Sequence, residues 1–403
     1  MAADGRLTAE ELADEAGTSV ERVAELAAAG VLQAGSEYTR EDVPRVLVAN
    51  ALEEGGLSLE VMRRGIEEGI VSFEQTPLVY PDPGSPGGTV AELAAELDLP
   101  TDAVLRIITA FNLPRPAPEE RLRQAHEDHL REFVAAWRPL GGEELLISAA
   151  RIYGDAMRRA AEGWMELFEE AVLAPVADRV LSWEEMSHYA LDPGYRVLEV
   201  GHSLLPWLLD QHRVPALNRL NFDSIERQLA LIGVAPAVPR EPPAIVFADL
   251  AGYTRLTEEH GDEVAATSAM RLAELADEVA SAHDGRLVKL LGDGAMLHFA
   301  RPVDAVSAAL ALRQAVAAAG LPPAHIGIHA GAVIRRESDY FGRTVNVAAR
   351  LSGQAGPGEV LLTPAVVDAV RSAGEELPPM EDAGALRLKG IPEPVAALRI
   401  GPG

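Results

Sequence analysis

The spacing of the apolar residues changes once along this chain of 403 residues, at a cluster of prolines (Pro236, Pro239, Pro242 and Pro243), and that change constrains the fold more than any other feature. Before the prolines, apolar positions recur at helical spacing; after them, short strand-like runs alternate with helical stretches. The expected class is therefore α+β, with an all-helical N-terminal region followed by a mixed region. The length exceeds what one core serves, so several units are expected: 1–117, 118–235, a stiff linker at 236–243, and 244–403.

The first helical part carries an internal repeat. Leu12, Ala16, Val20, Val23 and Leu26 suit two short helices joined at Gly17-Thr18-Ser19, with Ser19 as N-cap. Thr8, Glu11-Leu12-Ala13, Glu15, Val23 and Leu32 recur 81 residues later as Thr89, Glu92-Leu93-Ala94, Glu96, Val104 and Leu113, a duplicated helix-turn-helix-like unit hinged at residues 81–88. Residues 1–81 hold six arginines, no lysine and many more acids, which favours a structural or protein-contacting use over DNA reading. From about Pro118 to Leu231 long amphipathic helices are expected, with interruptions near residues 139–142 and 192–194. Trp137, Trp164, Trp183 and Trp207, with Met157, Met165 and Phe168, read as core of this bundle; a pocket for an apolar effector is the alternative.

Composition excludes several classes. A net charge of −27 opposes a general nucleic-acid or anionic-membrane binder, though not a small phosphorylated substrate. The absence of cysteine removes disulfides and thiolate metal sites. No apolar run is long enough to span a bilayer and the polar start is no signal peptide, so a cytoplasmic protein is expected.

Beyond the prolines, Ala244–Ala248, Arg286–Leu291, Ala295–Phe299 and Ile326–His329 read as strands. Helices are expected at Glu263–His283 and Val303–Ala319, and a tight hairpin turn at Gly292-Asp293-Gly294. This β-α-β-β-α-β order is ferredoxin-like, with later strands at Glu359–Leu362, Leu386–Lys389 and Ala396–Ile400.

In this order Asp249 ends one strand and Asp293 sits in the neighbouring hairpin turn. Two carboxylates without His or Cys suit hard cations such as Mg2+ or Mn2+, and a pair of such ions can hold both the attacking and the departing oxygen of a phosphoryl centre. Leu250-Ala251-Gly252-Tyr253-Thr254 follows, small enough to bring backbone N–H groups to phosphate oxygens. The chain has only two lysines against 33 arginines, Lys289 and Lys389, and both stand where a compact ammonium suits a purine or phosphate pocket better than a planar guanidinium.

Three blocks, residues 247–254, 289–293 and 339–350, resemble in order and internal spacing the signature motifs of the class III nucleotide cyclases, over about residues 243–400. The resemblance implies an adenylyl cyclase of bacterial, actinobacterial type that forms 3′,5′-cyclic AMP and pyrophosphate from ATP. It places two divalent metal ions on Asp249 and Asp293, with Leu250 beside them, adenine selection on Lys289 and Asp339, and triphosphate contact on Lys389 and on Gly252, Tyr253 and Thr254. Asn346 and Arg350 become the transition-state pair, and their i, i+4 spacing puts them on one helix face. The implied assembly is a head-to-tail homodimer with two equivalent sites. Departures are small: Tyr253 for a commoner phenylalanine, Gly294 for a common alanine, and a short segment at residues 332–338.

The helical front half resembles in layout the regulatory region of actinobacterial cyclases, some of which are autoinhibited and pH-responsive. A small-molecule, lipid or proton effector is therefore expected there, with His188, His202 and His212 as candidate proton sensors.

Overall fold

A computed structural model describes residues 6–401 apart from 34, 36, 235–240 and 338. Pro236 and Pro239 of the expected linker lie outside the described residues, as does Ser338. The chain divides into two compact units, Met1–Ser224 and Ile225–Gly403.

In the first unit, local hydrogen bonding sets where helices begin. Thr8 and Glu11 form a reciprocal capping box at the start of Ala9–Ala16, and Ser19 Oγ accepts from Arg22 N at 3.2 Å to open Val20–Ala28. The same box recurs at Thr89 and Glu92 before Val90–Glu96, followed by Thr101–Ala110. Each helix pair is flanked by a short antiparallel strand pair, Arg6–Leu7 with Tyr38–Thr39 and Pro86–Thr89 with Arg121–Arg123. Leu12, Val23 and Leu26 build one core, and Leu93, Val104 and Ile107 another.

Long helices follow at Gln124–Trp137, Glu143–Phe168 and Asp192–Leu231. The break expected at residues 192–194 is not there; the chain leaves helical geometry at 177–182 instead. Pro193 lies within a continuous helical run that begins at Trp183, directly after the π-helical turn Ser187–Leu191, where the regular i→i−4 ladder is already interrupted, and Gly194 lies where an added Cβ would stand 3.0 Å from the Phe168 ring. The tryptophans do not form one core. Trp137 packs beside Phe133 and Trp164 covers Gly201, whereas Trp207, Met157 and Met165 are about half exposed. Among the described residues no helix is long and apolar enough to cross a membrane.

The elements of the second unit are numbered within it. Strand β1 (Ala244–Leu250) leads to helices α1 (Tyr253–His260) and α2 (Asp262–Ala282). Then come β2 (Gly285–Leu291), β3 (Gly294–Phe299), α3 (Pro302–Ala318) and β4 (Ala324–Ala330). A hairpin β5 (Ile334–Arg336) and β6 (Asp339–Phe341) precedes α4 (Arg343–Ser352). The chain closes with β7 (Val360–Leu362), α5 (Pro364–Ser372), β8 (Glu381–Leu386) and β9 (Val395–Ile400).

Seven strands form one mixed sheet in the order β8-β9-β7-β4-β1-β3-β2, and β5-β6 stands apart from it. The four strands at one end of the sheet, β4-β1-β3-β2, keep the ferredoxin-like order. Strand alternation divides β1 between two cores. Val246 and Ala248 face α2, α3 and α5, together with Leu272, Leu312 and Val367, while Ile245 and Phe247 pack with Met296, Tyr340 and Ala348 on the α4 side. By the same alternation Asp249 faces α4. The expected strand at Leu386–Lys389 is displaced: β8 ends at Leu386, where its pairing with β9 runs out, and Lys389 lies in the exposed turn beyond.

Candidate active site

The two aspartates converge because β1 is paired on both sides. Asp249 is in register with Gly294 of β3 and His325 of β4, and Asp293 occupies the β2–β3 turn next to that register point. The backbone closes the corner: Leu250 N donates to Asp293 O at 3.3 Å. A Cβ on Gly294 would fall on Asp249 Oδ1 and stand 3.0 Å from its Cγ, so the carboxylate takes this orientation because residue 294 has no side chain.

Asp249 is held above the ordinary carboxylate range, first by burial and then by the like charge of Asp293; a hydrogen bond from Ser352 and the nearby His325 oppose this. Its side chain accepts from the Ser352 hydroxyl, 3.3 Å from Oδ2, and among the described residues no lysine or arginine bridges the two acids. Desolvated acids gathered without a cation of their own match the donor set that a divalent metal ion satisfies. Among the described residues no cluster of three or more His, Asp or Glu offers a closed metal cage, so any such ion would keep positions open for other ligands. Leu250 is buried and can offer only its backbone there.

Sequence reasoning missed Ser352 and His325. Ser352 is fully buried on the inner face of α4, and His325 has its Nδ1 buried without a hydrogen-bond partner. A polar residue on an apolar helix face signalled the first. Nothing signalled the second, because cross-strand register is not written locally.

Lys289 and Asp339 meet directly: Lys289 Nζ lies 2.5 Å from Asp339 Oδ2, with both side chains partly exposed. Asp339 Oδ1 accepts from the N–H of Tyr340 at 2.7 Å, which fixes the carboxylate plane. At the start of α1, Ala251 N–H is spent on Pro323 O at 2.8 Å. The first-turn N–H groups of Tyr253 and Thr254, just after Gly252, are the ones a phosphate could use.

Asn346 and Arg350 are not brought to the aspartates within one chain. They share the exposed face of α4, opposite the face carrying Val347, Ala348, Leu351 and Ser352, and neither side chain has a hydrogen-bond or ion-pair partner among the described residues. Lys389 is likewise exposed. His188, His202 and His212, in the first unit, are exposed as well.

Comparison with known proteins bears on this arrangement. The family of the adenylate and guanylate cyclase catalytic domain matches residues 236–396. A Rhizobium meliloti protein carrying an adenylate cyclase name is 34% identical over 166 residues, which cover 40% of this chain and 28% of that protein. A pH-sensitive adenylate cyclase of Mycobacterium tuberculosis is 28% identical over 261 residues, covering 63% of this chain and 62% of that one. The chain thus spans less than two thirds of either relative. Among solved structures, an adenylate/guanylate cyclase/hydrolase from Silicibacter pomeroyi is 30% identical over 41% of this chain and 99% of that one, with a TM-score of 0.37.

Proposed function

We propose that the chain, whose residues 236–396 match the adenylate and guanylate cyclase catalytic domain, is a class III cyclase of the bacterial adenylyl kind and converts ATP to 3′,5′-cyclic AMP and pyrophosphate. The observation that carries the choice of ATP is the Lys289–Asp339 pair, 2.5 Å apart on two elements of one unit. An ammonium donates to adenine N1 while the carboxylate accepts from the 6-amino group. Guanine presents the reverse, an N1–H and a carbonyl oxygen, and leaves both protein groups unsatisfied.

Asp249, Asp293 and the Leu250 backbone would hold divalent cations. Such ions, when bound, lower the pKa of the ribose 3′-hydroxyl and offset the triphosphate charge. The first-turn amides after Gly252, with Lys389, hold the triphosphate. The 3′-oxygen then attacks the α-phosphorus in line as the bond to pyrophosphate breaks. Asn346 orients the ribose and Arg350 neutralises charge growing on the α-phosphate. Because these two side chains face outward in one chain, they serve the aspartates of a second copy, and a head-to-tail homodimer has two such sites. The first unit sets how the catalytic domains are oriented and so regulates turnover.

The test is cyclic nucleotide formation by the full chain with ATP or GTP and Mn2+. Turnover of ATP that Asp293→Ala abolishes without unfolding supports the reading. Binding of ATP without turnover by the wild type refutes it in favour of a nucleotide-binding module.

A further inference from the structure

Among the described residues the hairpin that carries Asp339 makes no strand pairing with the main sheet, so something other than a strand ladder must hold it in place. The holding element is Tyr340. Its side chain is buried in the α4-side core, whereas Phe341 beside it is exposed. The Tyr340 ring stacks on His298 of β3 with centroids 4.4 Å apart and planes 14° from parallel. The Arg286 guanidinium of β2 lies 4.9 Å from the centroid of the same ring and also donates to Tyr340 Oη. A positive charge over a desolvated aromatic face is attracted by the ring quadrupole, and a flat offset stack adds to it. His298 is pushed down to about 4 by burial first and then by Arg286, so at neutral pH it stacks as an uncharged ring.

The clamp and the ion pair share their supports. Arg286 and Lys289 are both on β2, three residues apart, and strict alternation would send them to opposite faces. The register shift between Leu287 and Lys289 resets the alternation, so both reach the hairpin. Across the gap, Tyr340 follows Asp339 directly, and its N–H orients the Asp339 carboxylate. One strand therefore supplies Arg286 to hold the hairpin and Lys289 to complete the pair.

We propose that Tyr340, stacked on His298 and Arg286, is a positioning residue for base selection: it docks the otherwise unpaired hairpin so that Asp339 and Lys289 read the purine edge together. This deepens the adenylyl cyclase reading and rests on it. Tyr340 does not touch the reacting atoms, so loosening the clamp relaxes discrimination between bases and leaves the chemical step intact.

Steady-state kinetics of the full chain with ATP and with GTP test this on wild type, Tyr340→Phe, Tyr340→Leu and Arg286→Met. Phenylalanine keeps the ring, and its ATP:GTP ratio of kcat/KM is expected within about threefold of wild type. Leucine removes the stack, and methionine at 286 removes the cation. Each is expected to lower the ratio about tenfold or more through KM for ATP, with kcat at saturation within about threefold. An unchanged ratio in the leucine and methionine variants overturns the proposal, as does a loss of kcat with KM unmoved. Should Tyr340→Leu fail to fold, Arg286→Met decides alone, since that side chain is only partly buried. If the wild type cyclises neither nucleotide, the activity reading fails. Equilibrium binding of ATP against GTP to the same proteins then judges the clamp, an eroded preference supporting it and a retained one overturning it.

Discussion

Gly327 of β4 is the position where a single methyl group tests whether the packing of α4 on the sheet sets the active site. A Cβ there would stand 2.6 Å from Ala348 O and 2.8 Å from Leu351 C, and closer still to Ser352 N. Ordinary carbon contacts begin near ~3.5 Å, so strand and helix must part by roughly 1 Å. All three neighbours are backbone atoms, and no rotamer change can relieve them. Overpacking of this kind costs ~1–3 kcal/mol, and Gly327→Ala belongs at the upper end, ~3 kcal/mol. For a unit of this size that lowers the melting temperature by ~6–12 °C. The displaced segment of α4 carries Ser352, whose hydroxyl sits 3.3 Å from Asp249, and the Asn346/Arg350 face. A shift of about 1 Å in reacting groups can cost on the order of a hundredfold in rate. The assay is a thermal melt paired with cyclic AMP formation by the full chain. A control is Gly163→Ala, in the helix Glu143–Phe168, where an added Cβ meets nothing within 4 Å; it is expected to stabilise its own unit by ~0.5–1 kcal/mol and leave the rate unchanged. A Gly327→Ala protein that melts within ~2 °C of wild type and keeps its rate refutes the reasoning.

Three other predictions follow from the same geometry. Asp249→Asn should abolish turnover yet raise the melting temperature of metal-free protein at neutral pH. A carboxyl whose pKa is raised on folding costs stability above that pKa, and the cost fades as pH falls through it, so the two melts should converge on acidification. Ser352→Ala removes a bond that favours the ionised Asp249, so the acidic limb of the pH–rate profile should move to higher pH; an unmoved limb would show that Ser352 does not act through Asp249. Mixing inactive Asp293→Ala and Asn346→Ala chains should restore about a quarter of wild-type activity, because half of randomly assorted dimers then hold one intact site. No recovery, with exchange shown by tagged chains, would place all the groups in a single chain.

The cyclase domain was legible in the sequence because its information is local. The three blocks sit at strand ends and on one helix; strand spacing placed Asp249 and Asp293, and the resemblance to the cyclase motifs put Asn346 and Arg350 together on a helix, where the structure has them. Helix starts in the first unit were equally readable, since a cap such as Thr8 with Glu11 is a bond between residues three apart. The strand at Leu386–Lys389 was misplaced because its limits depend on a partner, β9, and not on its own residues. The break expected at residues 192–194 failed because a proline need not end a helix: the π-helical turn Ser187–Leu191 precedes Pro193, and the same helix runs on through Pro206 and Pro215.

Sequence by itself determined the α+β class and the strand and turn that carry Asp249 and Asp293, because both follow from spacing along the chain. Tertiary structure alone decided that Gly294 makes room for the Asp249 carboxylate and that Ser352 donates to it. It alone decided that a shift of register in β2 turns Arg286 and Lys289 toward the same hairpin. These are relations between elements far apart in the chain, fixed by register and packing, and no local pattern encodes which side chains a fold will bring face to face.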